Sequence, residues 1–162
     1  MPPAVPYRPG PADRDRSYVP ALFGELARLE EKGLRNVRER LLVSDRCHII
    51  TDCHQQVDGL EELELGANSI GTTKRGIGPT YSTMAARTGI TISEMFDEAL
   101  FERKLRVLAT GFKKRYGDQL QYDVDEELAR FKTYREELRV RESERGGSVP
   151  RVAADGGAAD GR

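Results

Sequence analysis

The stretch "SIGTTKRGIGPTYSTMAARTGI" occupies residues 69–90 and combines glycines, hydroxyls and cations in front of a helix-forming segment. Pro79 suits the first turn of a helix and Gly89 suits its end, so the pattern predicts a helix over residues 79–88 after a loop over residues 68–78. Helix N-termini favour anions, because their N–H groups are unpaired and the dipole is positive there. The stretch therefore predicts a phosphate loop. Its candidate residues are Gly71, Thr72, Thr73, Lys74, Arg75, Gly76 and Gly78.

The spacing of this loop differs from that of the common nucleotide triphosphate loop. G-x-x-x-x-G is present from Gly71 to Gly76, but Ile77 and Gly78 stand where that motif needs Lys and Ser or Thr. From residue types alone two interpretations stay open, a site for a phosphate group and a mobile, solvated surface loop. Arg87 lies near the end of the predicted helix, roughly 12 Å along the axis from its start, so it would reach a neighbour's ligand more easily than the loop's own.

The composition sets limits on size and partners. The chain has 162 residues, 38% of them hydrophobic and 33% charged, which fits one domain with a modest core or a piece of a larger one. With 26 basic and 27 acidic residues the net charge is −1, so no overall field attracts nucleic acid or an anionic membrane. The short basic run at residues 113–115 is interpreted as a solvated helix face. No apolar run is long enough to cross a bilayer, and we expect a cytoplasmic protein.

Two cysteines and two histidines fall in the run "CHIITDCH", residues 47–54. Zinc needs four ligands around one tetrahedral point. Successive strand residues point to opposite faces, so Cys47 and His48 would not share a metal. We interpret the run as a buried cysteine and a strand-end histidine, and we predict no metal ligand in this chain.

Composition divides the chain into three parts. Residues 1–18 are proline-rich and predicted to be flexible. Residues 141–162 are small, polar and glycine-rich and predicted to be disordered. Residues 19–140 carry the apolar periodicity of a folded, partial domain.

Helices outnumber strands in the predicted fold, whose class is α/β. Leucines at helical spacing predict a helix between Pro20 and Gly33, and another is predicted over residues 53–65. One or both of the apolar runs 41–43 and 47–51 are predicted strands. Three apolar stripes are interpreted as packing surfaces: Val57, Leu60 and Leu63; Phe101, Leu105, Leu108, Phe112 and Tyr116; and Val124, Leu128, Phe131 and Leu138.

The sequence "IGTTKRGIGPTYSTMAARTGI" resembles the signature of the adenylosuccinate synthetase family, and weaker similarity extends over residues 19–140. The resemblance implies part of a P-loop-type, GTP-dependent synthetase fold. It also implies a ligase of purine nucleotide biosynthesis, which joins L-aspartate to inosine monophosphate (IMP) with GTP and Mg²⁺. By the same resemblance Thr73 contacts IMP, with Thr72 nearby, and Arg75 matches a further functional arginine. Arg87 is implied to reach across a homodimer interface to the nucleotide in the partner's site.

Several family motifs do not occur in this sequence. The G-D-E-G-K-G-K phosphate loop with the catalytic aspartate and the G-H-N-x-G-H segment with the catalytic histidine are both missing, and neither His48 nor His54 matches that histidine. The main ligands for GTP and Mg²⁺ are missing with them. We therefore expect a fragment, a truncated product or a misjoined gene model, without a catalytic residue and inactive in isolation. The alternative is a non-enzymatic interaction or anion-binding module derived from the synthetase.

Overall fold

The computed structural model describes residues 16–41, 43–68 and 71–144. It includes only the inner ends of the two predicted tails, 1–18 and 141–162. Arg16 and Ser17 form a strand, and residues 141–144 continue the last helix, so at both ends regular structure extends further than predicted. The remainder of both tails lies outside the described residues.

Helices dominate the described chain, as predicted. They are α1 (Val19–Glu31), α2 (Val37–Arg40), α3 (Asp52–Leu65), α4 (Ile77–Ala85), α5 (Ile92–Met95), α6 (Glu98–Tyr116) and α7 (Val124–Glu144). Local signals explain several starts, because Pro20 lies in the first turn of α1, and Thr91 and Asp97 accept backbone N–H groups at the starts of α5 and α6. No helix in the described ranges is long and apolar enough to span a lipid bilayer.

Two short strands, β1 (Arg16–Ser17) and β2 (His48–Ile49), pair in parallel, with Arg16 opposite His48. An antiparallel bridge also joins His48 to Thr91, which brings the segment before α5 beside β2. β1 is not predicted from the sequence, since two residues are too few to show an alternating pattern.

Of the two predicted strand runs, the second contains β2 and the first does not form a strand at its described ends. Leu41 is the extended residue that ends the short helix α2, with φ −83° and ψ 128°. Leu41 and Val43 instead pack against the core as partly buried side chains. Their apolar side chains therefore indicate that the segment between α2 and β2 packs on the core, and not that it pairs in a sheet.

The main hydrophobic core is centred on α6 and α7, as their apolar stripes predict. Phe101 and Leu105 of α6 are fully buried, and the ring of Phe131 on α7 lies 4.9 Å from that of Phe101. Helix α1, strand β2 and the segment around α5 complete this core with Val19, Phe23, Leu26, Ile49, Ile90, Ile92 and Met95. The long helices α6 and α7 thus fix the position of β2 and of the start of α3, which follows β2 in the chain.

A smaller apolar cluster lies under α3 and consists of Cys53, Val57, Tyr116 and Leu120. Val57 is buried and Leu60 is partly buried, as predicted, but the inclusion of Leu63 in that face is wrong, because its side chain is 73% exposed. The buried surface of α3 also includes His54 and Asp58, which are polar. These two residues face α4, and this contact positions the candidate site.

Candidate functional site

The loop between α3 and α4 displays its side chains to solvent. The exposed residues are Gly71, Thr72, Thr73, Lys74 and Arg75, and Gly76 is buried. The N–H of Lys74 donates to Oγ1 of Thr72 at 2.9 Å, and Lys74 has a φ of 52°. Thr73 and Arg75 are therefore exposed residues beside a turn that the hydrogen bond between Lys74 and Thr72 closes.

Carboxylates of α3 hold the two ends of this loop. The N–H of Gly76 donates to Oδ2 of Asp58 at 2.9 Å, and the N–H of Gly71 donates to Oε1 of Glu62 at 2.5 Å. Both glycine N–H groups are thus directed towards α3. A ligand above the loop would meet the side chains of residues 72–75 rather than these two backbone donors.

The backbone of Gly76 is in close contact with the backbone of α3. Its φ is 73°, and a Cβ at this position would lie 2.8 Å from the backbone N of Gln55. Only glycine fits both the left-handed conformation and the close approach. Gly78, which the sequence assigns to the loop, instead lies in the first turn of α4, where an added Cβ would meet no neighbouring atom within 4 Å. Pro79 also lies in that first turn, as predicted.

Arg87 follows the other end of α4. The helix ends at Ala85, and Arg87 is exposed with a φ of 60°, its N–H donating to the carbonyl of Met84 at 3.0 Å. The nine residues of α4 span about 13 Å, so the structure places Arg75 and Arg87 at opposite ends of the helix. It brings Thr73 and Arg75 together on one loop and does not bring Arg87 to them.

His54 joins α3 to α4 behind the loop. At the start of α3, Thr51 and His54 form a capping box in which the Thr51 N–H donates to Nδ1 at 3.1 Å. On the other side of the ring, Nε2 lies 3.1 Å from Oγ1 of Thr83 on α4. Burial, with a smaller effect from charge on His48, lowers the pKa of His54 to about 4, so the ring is neutral at ordinary pH.

The cysteines and histidines of residues 47–54 do not form a common site. Both thiols are free and buried. Cys47 belongs to the main core and Cys53 to the smaller cluster under α3. Across the described ranges of the chain, no three or more His, Cys, Asp or Glu side chains group so that they could hold a metal ion.

Comparison with known proteins points to one family. The family model described as adenylosuccinate synthetase matches residues 18–149, which is most of the chain. The chain belongs to the adenylosuccinate synthetase family. The adenylosuccinate synthetases of Sordaria macrospora and Neurospora crassa are each 64% identical to it over 121 residues. That of Aspergillus fumigatus is 56% identical over 121 residues.

Each of these three synthetases is matched over 75% of this chain and 28% of the relative's own length. A solved structure, the fully ligated adenylosuccinate synthetase from Plasmodium falciparum, is 34% identical and superposes with a TM-score of 0.66. That match covers 76% of this chain and 28% of the Plasmodium chain. The chain therefore spans little more than a quarter of the length of these synthetases, and the α/β fold class predicted for it is confirmed.

A second polar cluster of this synthetase-family chain lies at the start of α3. Glu127 of α7 is 1% exposed and accepts the N–H of Asp52 at 2.9 Å and the hydroxyl of Tyr122. Asp52 in turn accepts hydrogen bonds from the hydroxyl of Tyr18 and the guanidinium of Arg130. Burial raises the pKa of Glu127 to about 7, against the opposing effect of its hydrogen bonds. The cluster ties α3 to α7 and to the segment after β1.

Sequence reasoning from the synthetase signature finds the exposed residues of the loop and misses those that support it. His54, Asp58 and Glu62 follow one another at steps of four residues on α3. That polar spacing is a usable signal, since residues four apart share a helix face. An apolar pattern search does not detect it, because the face that α3 turns towards the loop and α4 is largely polar.

Proposed function

We propose that this chain carries part of the IMP site of an adenylosuccinate synthetase, in which Thr73 contacts the nucleotide. In the family's reaction, IMP, L-aspartate and GTP give adenylosuccinate, GDP and phosphate, a ligase step of purine nucleotide biosynthesis. Membership of the family supports this assignment, and the Plasmodium relative is a fully ligated synthetase. The cytoplasmic location expected from the sequence stays a prediction.

One structural observation carries the proposal. Thr73 and Arg75 are exposed on a loop whose two ends are hydrogen-bonded to α3. A hydroxyl donor and a guanidinium on a fixed backbone suit a phosphate monoester, because little ordering remains to be done on binding. Lys74 adds a positive charge beside them, and Oγ1 of Thr72 holds the turn by accepting the Lys74 N–H.

The position of Arg87 favours a site shared between two copies of the chain. Arg87 is exposed, and the length of α4, about 13 Å, separates it from the loop. We therefore propose a homodimer in which Arg87 contacts the nucleotide held by Thr73 of the other copy. Its role is electrostatic, since a guanidinium binds a phosphate with two parallel hydrogen bonds.

No catalytic residue of this chain is proposed. The described residues contain no cluster of donors suited to Mg²⁺, and no phosphate loop for GTP occurs in the sequence, so no step through either group is assigned to this chain. We expect the purified chain alone to form no adenylosuccinate. Detection of GTP-dependent adenylosuccinate formation would contradict this expectation.

Calorimetric titration with IMP tests the proposed site, with inorganic phosphate as the comparison ligand. We expect IMP to bind more tightly than phosphate, and Thr73→Ala and Arg87→Ala each to weaken binding about tenfold, as loss of a charge-assisted contact does. Thr110→Ala and Arg103→Ala change exposed residues of α6 and serve as matched controls. Equal binding of IMP and phosphate would favour the alternative of an anion-binding module.

Mixing the two single variants tests the shared site. In a mixed dimer, one site carries both substitutions and the other carries neither, provided that Arg87 acts across the interface. The mixture should then regain tight IMP binding that neither variant shows alone. If Arg87 acts within its own chain, no site in the mixture is intact and binding stays weak.

A further inference from the structure

Asp58 stands between His54 and Glu62 on the face of α3 that supports the loop. A step of four residues moves about 6 Å along a helix, so these three side chains line one edge of α3. Asp58 is only 7% exposed although it carries a carboxylate. Such burial is costly unless hydrogen bonds satisfy the group, and the carboxylate accepts the N–H of Gly76 at 2.9 Å.

This hydrogen bond lies at the N-terminus of α4. The Gly76 carbonyl accepts from both the N–H and Oγ1 of Thr80, at 3.1 and 2.6 Å. Pro79 has no N–H to offer in the same turn. The Asp58 carboxylate therefore lies near the positive end of the helix dipole and already takes the Gly76 N–H, one of the backbone donors at the N-terminus of α4.

We propose that Asp58 is a positioning residue that fixes the loop by holding Gly76 against α3. The phosphate of the bound nucleotide then meets the side chains of Thr73 and Arg75 rather than the N-terminus of α4. The nature of this ligand rests on the function proposed above. Glu62 holds the other end of the loop through Gly71 and, being more exposed, contributes less.

The experiment compares Asp58→Ala and Asp58→Asn with Asp97→Ala in the full chain. Asp97 is a matched control, because its carboxylate accepts the N–H of Leu100 at 3.0 Å at the start of α6, away from the loop. Amide hydrogen exchange of residues 71–76 is measured by NMR without ligand. The Kd for IMP is measured by calorimetry on the same samples, and thermal unfolding monitors overall stability.

We expect Asp58→Ala to speed exchange at the Gly76 amide and to raise the Kd for IMP, each about tenfold, as loss of a hydrogen bond to a charged group does. Asp58→Asn keeps an oxygen acceptor and should restore part of both effects. Asp97→Ala should lower the unfolding temperature while loop exchange and the Kd for IMP stay at their original values.

The outcomes separate this inference from the function on which it rests. Unchanged loop exchange in Asp58→Ala would overturn the inference even where IMP binds the original chain. Faster exchange together with no preference of the original chain for IMP over phosphate would overturn the proposed function and the phosphate contact, and would leave Asp58 as the residue that fixes the loop. An equal loss of IMP binding in Asp97→Ala would overturn the inference, because the effect would then follow stability.

Discussion

The Nε2 atom of His54 lies 3.1 Å from Oγ1 of Thr83, and this buried contact joins α3 to α4 behind the loop. Because the Thr51 N–H donates to Nδ1, the neutral ring carries its proton on Nε2 and donates to Thr83. Oγ1 of Thr83 then donates to the carbonyl of Thr80 at 3.0 Å. A second proton on Nδ1 would remove the acceptor of the Thr51 N–H, so this hydrogen bond favours neutral histidine, although Oγ1 of Thr51 also lies 2.8 Å from Nδ1.

The first prediction concerns the pH dependence that His54 imposes. Its pKa falls from 6.5 to about 4 on folding, so between these values the unfolded chain binds a proton that the folded chain does not. The contribution of His54 to the stability of the folded state therefore falls by about 1.4 kcal/mol per pH unit as pH falls through this window. Urea unfolding of His54→Gln should lack this loss, and a slope equal to that of the original chain would contradict it.

The second prediction concerns Glu127, whose effect has the opposite sign. Its pKa rises from 4.5 to about 7 on folding, so the folded chain takes up a proton first as pH falls through this window. Acidification from about pH 7 to about pH 4.5 therefore stabilises the folded state through this group. Glu127→Gln should lose that stabilisation. The free energy of unfolding of this variant should then fall more steeply on acidification, because the contribution of His54 is no longer offset. Glu126→Gln, an exposed neighbour, is the control and should keep the original profile.

The helical part of the fold is predictable because its signals are local and repeated. The stripe from Phe101 to Tyr116 recurs over several turns, and Gly117 ends it with a φ of 56°. β1 lacks such a signal, since two residues show no period; the apolar run 47–51 does predict β2, but the pairing of the two strands depends on contacts between distant segments. Leu41 and Val43 show why the alternative of two strands stayed open, because apolar residues in a connection resemble a short strand.

The candidate site likewise contains residues that the sequence predicts and residues that only the structure reveals. The signature predicts Thr73 and Arg75 as site residues, and the structure shows both exposed on the loop. Asp58 and His54 act through tertiary hydrogen bonds to residues 18 and 29 positions away, which no local pattern contains. Only the i, i+4 spacing of polar residues on α3 indicates them.

The third prediction concerns the core. Phe131 is 1% exposed and its ring lies 4.9 Å from that of Phe101 and 5.7 Å from that of Tyr134. Phe131→Ala should lower the free energy of unfolding by about 3–5 kcal/mol, because the lost contacts leave a cavity. Val107→Ala, at a side chain that is 61% exposed, should change it by less than about 0.5 kcal/mol. Similar urea midpoints for the two variants would contradict this account of the core.

The fourth prediction uses the two glycines at the start of α4. Gly76→Ala places a methyl group 2.8 Å from the Gln55 backbone in a left-handed conformation, which alone costs roughly 1–2 kcal/mol. Gly78→Ala adds the same methyl group where nothing lies within 4 Å, and alanine favours a helix.

Urea unfolding should therefore show a loss of stability for Gly76→Ala and none for Gly78→Ala. If the contact between Gly76 and α3 also fixes the loop, hydrogen exchange at residues 71–75 should rise in the first variant alone. Equal stability of the two variants would mean that the close approach of Gly76 to α3 does not persist in solution. Lost stability with unchanged exchange would mean instead that the loop keeps its shape through Gly71 and the turn at Thr72.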